Sequence, residues 1–122
     1  MQLILSDKSD HVEDTAHESL NYLLESLGKQ LNEPVMKSTA RLIIVISLAI
    51  NRKLSFSDLL TITALGKGSL SNHLEKLQKN DLIKIRTVFR KNGPRISIEI
   101  TETGMEAYRN YSSLLRKLTN SK

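Results

Sequence analysis

The feature of this sequence that most constrains its fold is a change of hydrophobic period near residue 82. Before it, leucines are spaced by four and three residues, as on the buried side of an α-helix: Leu70, Leu74 and Leu77. After it, isoleucines alternate with polar residues, as in half-buried strands: Ile83 and Ile85, then Ile96, Ile98 and Ile100. Asn92 and Gly93 both accept positive φ and predict a tight hairpin turn, and we expect Pro94 to weaken strand pairing beyond it. A helix followed by a two-stranded hairpin is therefore predicted.

Upstream of this unit the sequence predicts three more helices. Apolar residues that step by threes and fours indicate an amphipathic helix over residues 10–31. The run Leu42–Ile50 is almost continuously apolar, and its β-branched content suits a buried strand as well as a buried helix. Ser38 as an upstream N-cap favours the helix. Ser55 and Asp58 have the spacing of a capping box, which predicts the start of a short helix.

The remaining residues place the turns and the last helix. Residues 63–68 predict a turn in which Leu65 plugs the core. Asn80-Asp81 ends the helix before the hairpin, because both residue types tolerate the left-handed conformation of a helix C-terminus. Thr101 is the predicted N-cap of a C-terminal helix over residues 102–118.

The composition excludes several classes of function. The chain has 122 residues, about one domain (residues 1–122), and no cysteine for a disulfide, a thiolate nucleophile or a zinc ligand. Its longest apolar run, residues 42–50, is far shorter than the ~20 residues of a membrane span, and the start has no basic leader. We expect a cytoplasmic protein without membrane contact. With no Gly-rich phosphate loop, nucleophile elbow or paired carboxylates, an enzyme is not expected.

Charge is distributed unevenly along the chain. Residues 1–33 carry seven acidic and two basic side chains, whereas residues 34–122 carry six acidic and sixteen basic ones. Such a separation indicates that the second part meets a polyanion, most often nucleic acid, while the first part faces elsewhere. The alternative is a basic surface that is only solvated.

Three motifs connect this order of elements to a known family. Residues 70–77 read LSNHLEKL and match an LSxHLxxL core, residues 56–59 read FSDL, and residues 100–104 read ITETG, similar to LTxxG. From about Ser38 to Tyr108 the chain resembles winged helix-turn-helix repressors of the MarR and ArsR kind. The resemblance implies a mainly α fold with a small β-hairpin, with its winged-helix core over residues 38–101. The chain departs from the family at Asp81, where Gly is common, and Asp fits there at modest cost.

In such a fold the helix over residues 67–80 would enter the major groove. Its side opposite the leucines carries small, polar and cationic residues: Lys67, Gly68, Ser69, Ser71, Asn72, Lys76 and Lys79. The Asn72 amide suits a bidentate contact with adenine, and Ser69 and Ser71 suit bases or phosphates. Lys76 and Lys79 suit phosphates, because Lys acts as a point charge. The alternative is an ordinary exposed helix face.

The wing, residues 83–100, is the second predicted contact. No acidic residue lies between Leu82 and Ile98, while five basic ones do: Lys84, Arg86, Arg90, Lys91 and Arg95. Those at the tip can reach the DNA backbone or minor groove beside the site read by the helix. Charges at a hairpin tip are also a common solubility device.

No metal site is predicted. His73 borders the buried leucines; the resemblance implies either a structural or a phosphate-contacting role for it, of which we favour packing. Asp10, Asp14 and Glu18 share one face of the first helix, which can hold a weak cation but more commonly forms a solvated acidic surface. The three histidines include no pair four residues apart, and no cysteine can complete a site.

The terminal helices predict self-association. Tyr108, Tyr111, Leu115 and Leu118 are spaced by three, four and three, which is typical of a coiled-coil seam. This pattern and the resemblance together imply a homodimer through the N- and C-terminal helices, with a roughly palindromic operator. The alternative is that both helices only complete the monomer core.

The leading hypothesis is a sequence-specific, double-stranded-DNA-binding transcriptional regulator without a cofactor, a dimeric repressor in the simplest form. Activation is a further option. A protein-interaction winged-helix module of a larger complex is the alternative from another class. A continuous positive band over helix and wing favours DNA, and an exposed apolar groove there favours a protein. With five aromatic residues and no cysteine, the sequence shows no evident effector pocket or redox sensor, and it leaves a small-molecule effector open.

Overall fold

The computed structural model describes the backbone of residues 11–120 and the side chains of residues 19–120. The helices are α1 (His11–Leu31), a 3-10 turn (Pro34–Met36), α2 (Thr39–Asn51), α3 (Phe56–Thr63), α4 (Lys67–Lys79) and α5 (Glu102–Thr119), and the strands are β1 (Lys53–Ser55), β2 (Ile83–Arg90) and β3 (Gly93–Ile100). This confirms a mainly α winged helix-turn-helix with a small β-hairpin. The apolar run within α2 is a buried helix.

The predicted N-caps are confirmed. The Ser38 hydroxyl accepts a hydrogen bond from the Arg41 N–H at 3.2 Å. Ser55 and Asp58 form a reciprocal capping box, with bonds of 2.9 and 3.1 Å. The Thr101 hydroxyl accepts from the Gly104 N–H at 3.0 Å. These caps satisfy backbone donors that have no partner within their own helices.

The core lies where α2, α3 and α4 meet the sheet. Its fully buried side chains include Ile44, Leu48, Leu59, Leu70, Leu77 and Ile98. Leu65 packs against this cluster from the turn between α3 and α4, as predicted. The turn itself is shorter than predicted, since α3 continues to Thr63 and α4 begins at Lys67. Asp81 has a φ of 61°, which confirms the left-handed position where family members commonly have Gly.

The sheet has a third strand that the sequence did not predict. β1 pairs antiparallel with β3, which makes β3 the central strand. Three residues are too few to show an alternating pattern, so this pairing has no local signal. The Arg52 carbonyl adds to it by accepting the Ile100 N–H at 3.0 Å. The predicted hairpin is therefore extended by a third strand, β1, which precedes α3 in the chain.

The details of the hairpin differ from the prediction. Asn92 does not adopt positive φ; the turn residues are Lys91 and Asn92, and Gly93 after them has a φ of 109°. Pro94 also does not weaken the pairing, which continues through Phe89 and Pro94 to Arg90 and Gly93.

The physical reason lies in the direction of the backbone groups. The Ile100 N–H points away from β2, towards Arg52. Pro94 lies an even number of residues earlier in β3, so its nitrogen faces the same side. Because β1 pairs only with residues 97–99 of β3, the donor that proline lacks has no strand partner to lose.

Candidate nucleic-acid interface

The side of α4 opposite the core is exposed along its whole length. Leu70, Leu74 and Leu77 are buried. The predicted contact residues are all exposed: Lys67, Gly68, Ser69, Ser71, Asn72, Lys76 and Lys79. The amphipathic division of the helix thus agrees with the leucine spacing. It leaves a face of small, amide and cationic side chains of the kind that fits a major groove, with one carboxylate, Glu75, among them.

The first turn of α4 has free backbone donors. Its N-cap is Gly66, and no side chain there accepts a hydrogen bond from the helix. Nothing lies within 4 Å of the positions where Gly66 and Gly68 would carry a Cβ. The N–H groups of this turn are therefore open to an anion such as a phosphate.

The cations of the interface differ in availability. Arg86 pairs with Glu99 of β3, with 3.4 Å between Nε and Oε1. Lys79 approaches Glu75 at 4.0 Å, and both side chains are exposed. Exposed pairs of this kind are weak, so they reduce availability without removing it.

The unpaired cations lie at the wing tip and on α4, with Lys84 near the base of the wing. Within residues 19–120, no acidic partner contacts Lys67, Lys76, Arg90, Lys91 or Arg95. The strand register puts Arg90 and Arg95 on the same face of the ribbon as Arg86. The wing therefore ends in a cationic tip formed by Arg90, Lys91 and Arg95.

A buried arginine that the sequence analysis missed holds α4 in place. Arg41, in the first turn of α2, is only 8% exposed. Its guanidinium donates to the Val35 and Pro34 carbonyls at 2.6 and 3.2 Å and to Nδ1 of His73 at 3.0 Å. A guanidinium can only donate, so His73 accepts through Nδ1 and its neutral ring carries the proton on Nε2. The one local signal was a cation inside an apolar helix.

His73 therefore has a packing role, as the sequence favoured. The pKa of its imidazole lies below the ordinary value of 6.5, first because the ring is partly buried and then because Arg41 and Lys76 are near. A charged imidazole would face the guanidinium and lose the acceptor that Arg41 uses. The Arg41 contact thus links the orientation of α4 to the neutral form of His73.

We expect the free energy of unfolding to decrease as the pH falls below 6.5, in part because of His73. In the unfolded chain the His73 imidazole takes up a proton near pH 6.5, whereas in the folded protein it does so only at lower pH. His73 thus contributes fully to the free energy of unfolding above pH 6.5. This contribution decreases as the pH falls and is lost once the pH is below the pKa of the folded protein. Urea unfolding at a series of pH values tests this. His73→Gln keeps an acceptor for Arg41 and should lack this part of the decrease; equal slopes for both proteins would contradict the assignment.

The acidic cluster proposed for the first helix lies outside the described side chains. Asp10 precedes the described residues, and for Asp14 and Glu18 only the backbone is described.

The terminal helices pack against each other within one chain. The Gln30 amide of α1 donates to the Ala107 carbonyl of α5 at 2.8 Å. At the start of α5, Met105 is buried and Tyr108 packs on the core. Leu115 is exposed, as are Tyr22 and Leu24 on α1. The predicted seam is thus divided: its first part completes the monomer core, while Leu115 further along α5 is exposed.

Comparison with known proteins agrees with this geometry. Residues 40–119 match the family of winged helix DNA-binding domains. The chain belongs to this family. The match spans α2 to α5 and includes the whole helix-turn-helix and the wing. It therefore confirms the winged-helix fold that the three motifs indicated.

Solved structures extend the comparison. A transcriptional regulator homologue from Pyrococcus horikoshii OT3 is 31% identical, with 79% of this chain and 95% of that chain covered and a TM-score of 0.68. A protein assigned to the MarR family from Enterococcus faecalis V583 is 18% identical, with coverage of 95% and 89% and a TM-score of 0.55. BpsR from Bordetella bronchiseptica, whose DNA binding is regulated by 6-hydroxynicotinic acid, is 13% identical, with coverage of 99% and 83% and a TM-score of 0.58. The last two share the fold.

A search of curated protein sequences finds no match to this chain. Among the helices of residues 11–120, none combines the length and the apolar character needed to cross a membrane.

Proposed function

We propose that this winged-helix protein binds double-stranded DNA sequence-specifically as a dimer and represses transcription by blocking access to a promoter. In this proposal α4 reads the major groove and the wing contacts the backbone or the minor groove beside it. The observation that supports it best is the exposed face of α4, which is rich in small and cationic side chains and is packed on the same core as the hairpin that carries the unpaired cationic wing tip.

The proposed roles follow from the chemistry and exposure of each side chain. Asn72 reads a base edge, because its exposed amide can pair with adenine in two hydrogen bonds. Ser69 and Ser71 contact bases or phosphates beside the helix N-terminus, where Gly68 permits close approach. Lys67 and Lys76 neutralise phosphates.

The wing residues and Lys79 are proposed to act on the DNA backbone. Arg90, Lys91 and Arg95 reach phosphates or the minor groove without first breaking an ion pair. Arg86 and Lys79 contribute less, because each already has a carboxylate partner.

Dimerisation is proposed through the apolar surface that α1 and α5 leave exposed. Tyr22, Leu24 and Leu115 are among the exposed large hydrophobic side chains. Their burial against a second copy removes apolar surface from water, which favours association. A two-fold dimer would place two α4 helices about one turn of DNA apart and read a roughly palindromic site.

A second candidate, a protein-interaction module, is favoured by one observation. An apolar cleft between α4 and the wing is lined by Phe56, Leu74, Ile85 and Ile96. Such a cleft suits an apolar side chain of a protein partner.

We expect two substitutions to separate base reading from backbone binding. Asn72→Ala should weaken binding to a site selected from genomic fragments by about 1–3 kcal/mol and leave a scrambled duplex nearly unaffected. Arg90→Ala should weaken both duplexes alike, because a phosphate contact carries no sequence information. Fluorescence anisotropy titrations measure both effects and the number of chains per duplex, expected to be two.

Two results would contradict the proposal. If the wild-type protein does not distinguish its selected site from the scrambled duplex, it is not sequence-specific. If Asn72→Ala lowers both affinities equally, Asn72 does not read a base.

A further inference from the structure

The β2–β3 ribbon extends beyond the core, and one of its faces is apolar except for Thr87, which lies between Ile85 and Phe89. On this face Ile83 and Ile98 are buried at the base, while Ile85 and Ile96 are 37% and 46% exposed further out. Phe89 follows near the turn and is 79% exposed, the largest value among the exposed large hydrophobic side chains of the described residues. The apolar face thus continues where the monomer has nothing to cover it.

The backbone of Phe89 is paired within the sheet, although its side chain is exposed. It pairs across the ribbon with Pro94, so the two rings are neighbours on the same face. The pairing continues beyond them to Arg90 and Gly93. The aromatic ring and the proline ring together form an apolar wedge near the tip of the ribbon.

The surroundings of this wedge are cationic. Arg90 and Arg95 are the sequence neighbours of Phe89 and Pro94 on the opposite face of the ribbon, and Lys91 lies in the turn. No acidic residue occurs between Leu82 and Ile98. Charge complementarity therefore selects a polyanion as the surface that covers the wedge. A nucleic-acid minor groove offers phosphates on both sides of an apolar floor of sugars and base edges, and apolar side chains enter it in several classes of DNA-binding protein.

We propose that Phe89 enters the minor groove next to the site read by α4, packs on the sugars and one base step, and bends the duplex. Arg90, Lys91 and Arg95 hold the flanking phosphates. This inference rests on the proposed function and deepens it. Insertion of Phe89 would make binding by the wing sensitive to how easily the flanking DNA sequence deforms, with flexible pyrimidine–purine steps such as TA preferred.

The test uses the full-length protein and a selected site with a donor and an acceptor dye at the two duplex ends. Wild-type protein should shorten the end-to-end distance, measured by energy transfer. Phe89→Ala should abolish most of the shortening and lower affinity about tenfold. Phe89→Leu keeps an apolar wedge and should retain most of both. A 2-aminopurine at the flanking step should brighten with wild-type protein and much less with Phe89→Ala.

The controls separate this inference from the function on which it rests. Ile62→Ala changes an exposed isoleucine on α3 and should leave the bend unchanged. Ile62→Ala and Phe89→Ala should both keep the urea midpoint of the wild-type protein. Sequence-specific binding with no bend, or with a bend that Phe89→Ala retains, would overturn the wedge and leave the regulator standing. Absence of any DNA binding by the wild-type protein would overturn both.

Discussion

If the protein binds DNA as the proposed dimer, its affinity for a selected site should fall by about 10³- to 10⁵-fold when salt is raised from about 50 mM to about 200 mM. The expected origin is counterion release from the duplex. About four of the unpaired cations on each protomer, drawn from Lys67, Lys76, Arg90, Lys91 and Arg95, would neutralise about eight phosphates per dimer, which gives a log–log slope near −7.

The slope is measured by anisotropy titration at several salt concentrations. Arg90→Ala removes one contact per protomer and should reduce the magnitude of the slope by about two for a dimer. Asn72→Ala is the matched control, because loss of a base contact should lower affinity and leave the slope unchanged. A wild-type affinity that does not depend on salt would contradict DNA binding through these cations.

Gly104→Ala should destabilise the protein by about 2–3 kcal/mol, because α5 approaches the chain before β2 too closely for a side chain there. A Cβ at residue 104 would lie 2.3 Å from the Leu82 carbonyl oxygen and 2.7 Å from Cγ1 of Ile100. The Leu82 carbonyl cannot easily move, since it accepts the Thr101 N–H at 3.0 Å. The glycine of the ITETG motif thus has a steric reason.

Gly28→Ala is the matched control for this substitution. Gly28 also lies in a helix, but nothing is within 4 Å of its Cβ position. Alanine there should stabilise the protein by about 0.5–1 kcal/mol, because it restricts the unfolded chain. Urea unfolding of both variants measures the difference. Equal effects of the two substitutions would show that the approach of α5 to Leu82 relaxes without cost.

The contact between Arg41 and His73 shows why part of the interface could not be predicted. The two residues are 32 positions apart, and each is unremarkable in its own segment. His73 belongs to the LSNHLEKL motif, which marks the fold without showing what the imidazole binds. Only the packing of α2 against α4 brings the guanidinium to Nδ1, and only the 3-10 turn supplies the two carbonyls that complete its partners.

The candidate site was predicted better on the helix than on the wing. The leucine spacing of α4 determines which side is buried, and therefore which side chains face outward. On the wing, alternation identified the two faces but not the ion pair of Arg86 with Glu99 or the exposure of Phe89. Both depend on the register of the strands and on how far the ribbon extends beyond the core.

Local patterns in the sequence by themselves determined the order of helices and hairpin, the caps at Ser38, Ser55 and Thr101, and the outward face of α4. Each of these depends on residues that are close together in the sequence, so the chain specifies them without tertiary contacts. The tertiary structure alone decided the pairing of β1 with β3, the partners of Arg41 and the space at Gly104. These depend on groups that are far apart along the chain and meet only when the core is packed.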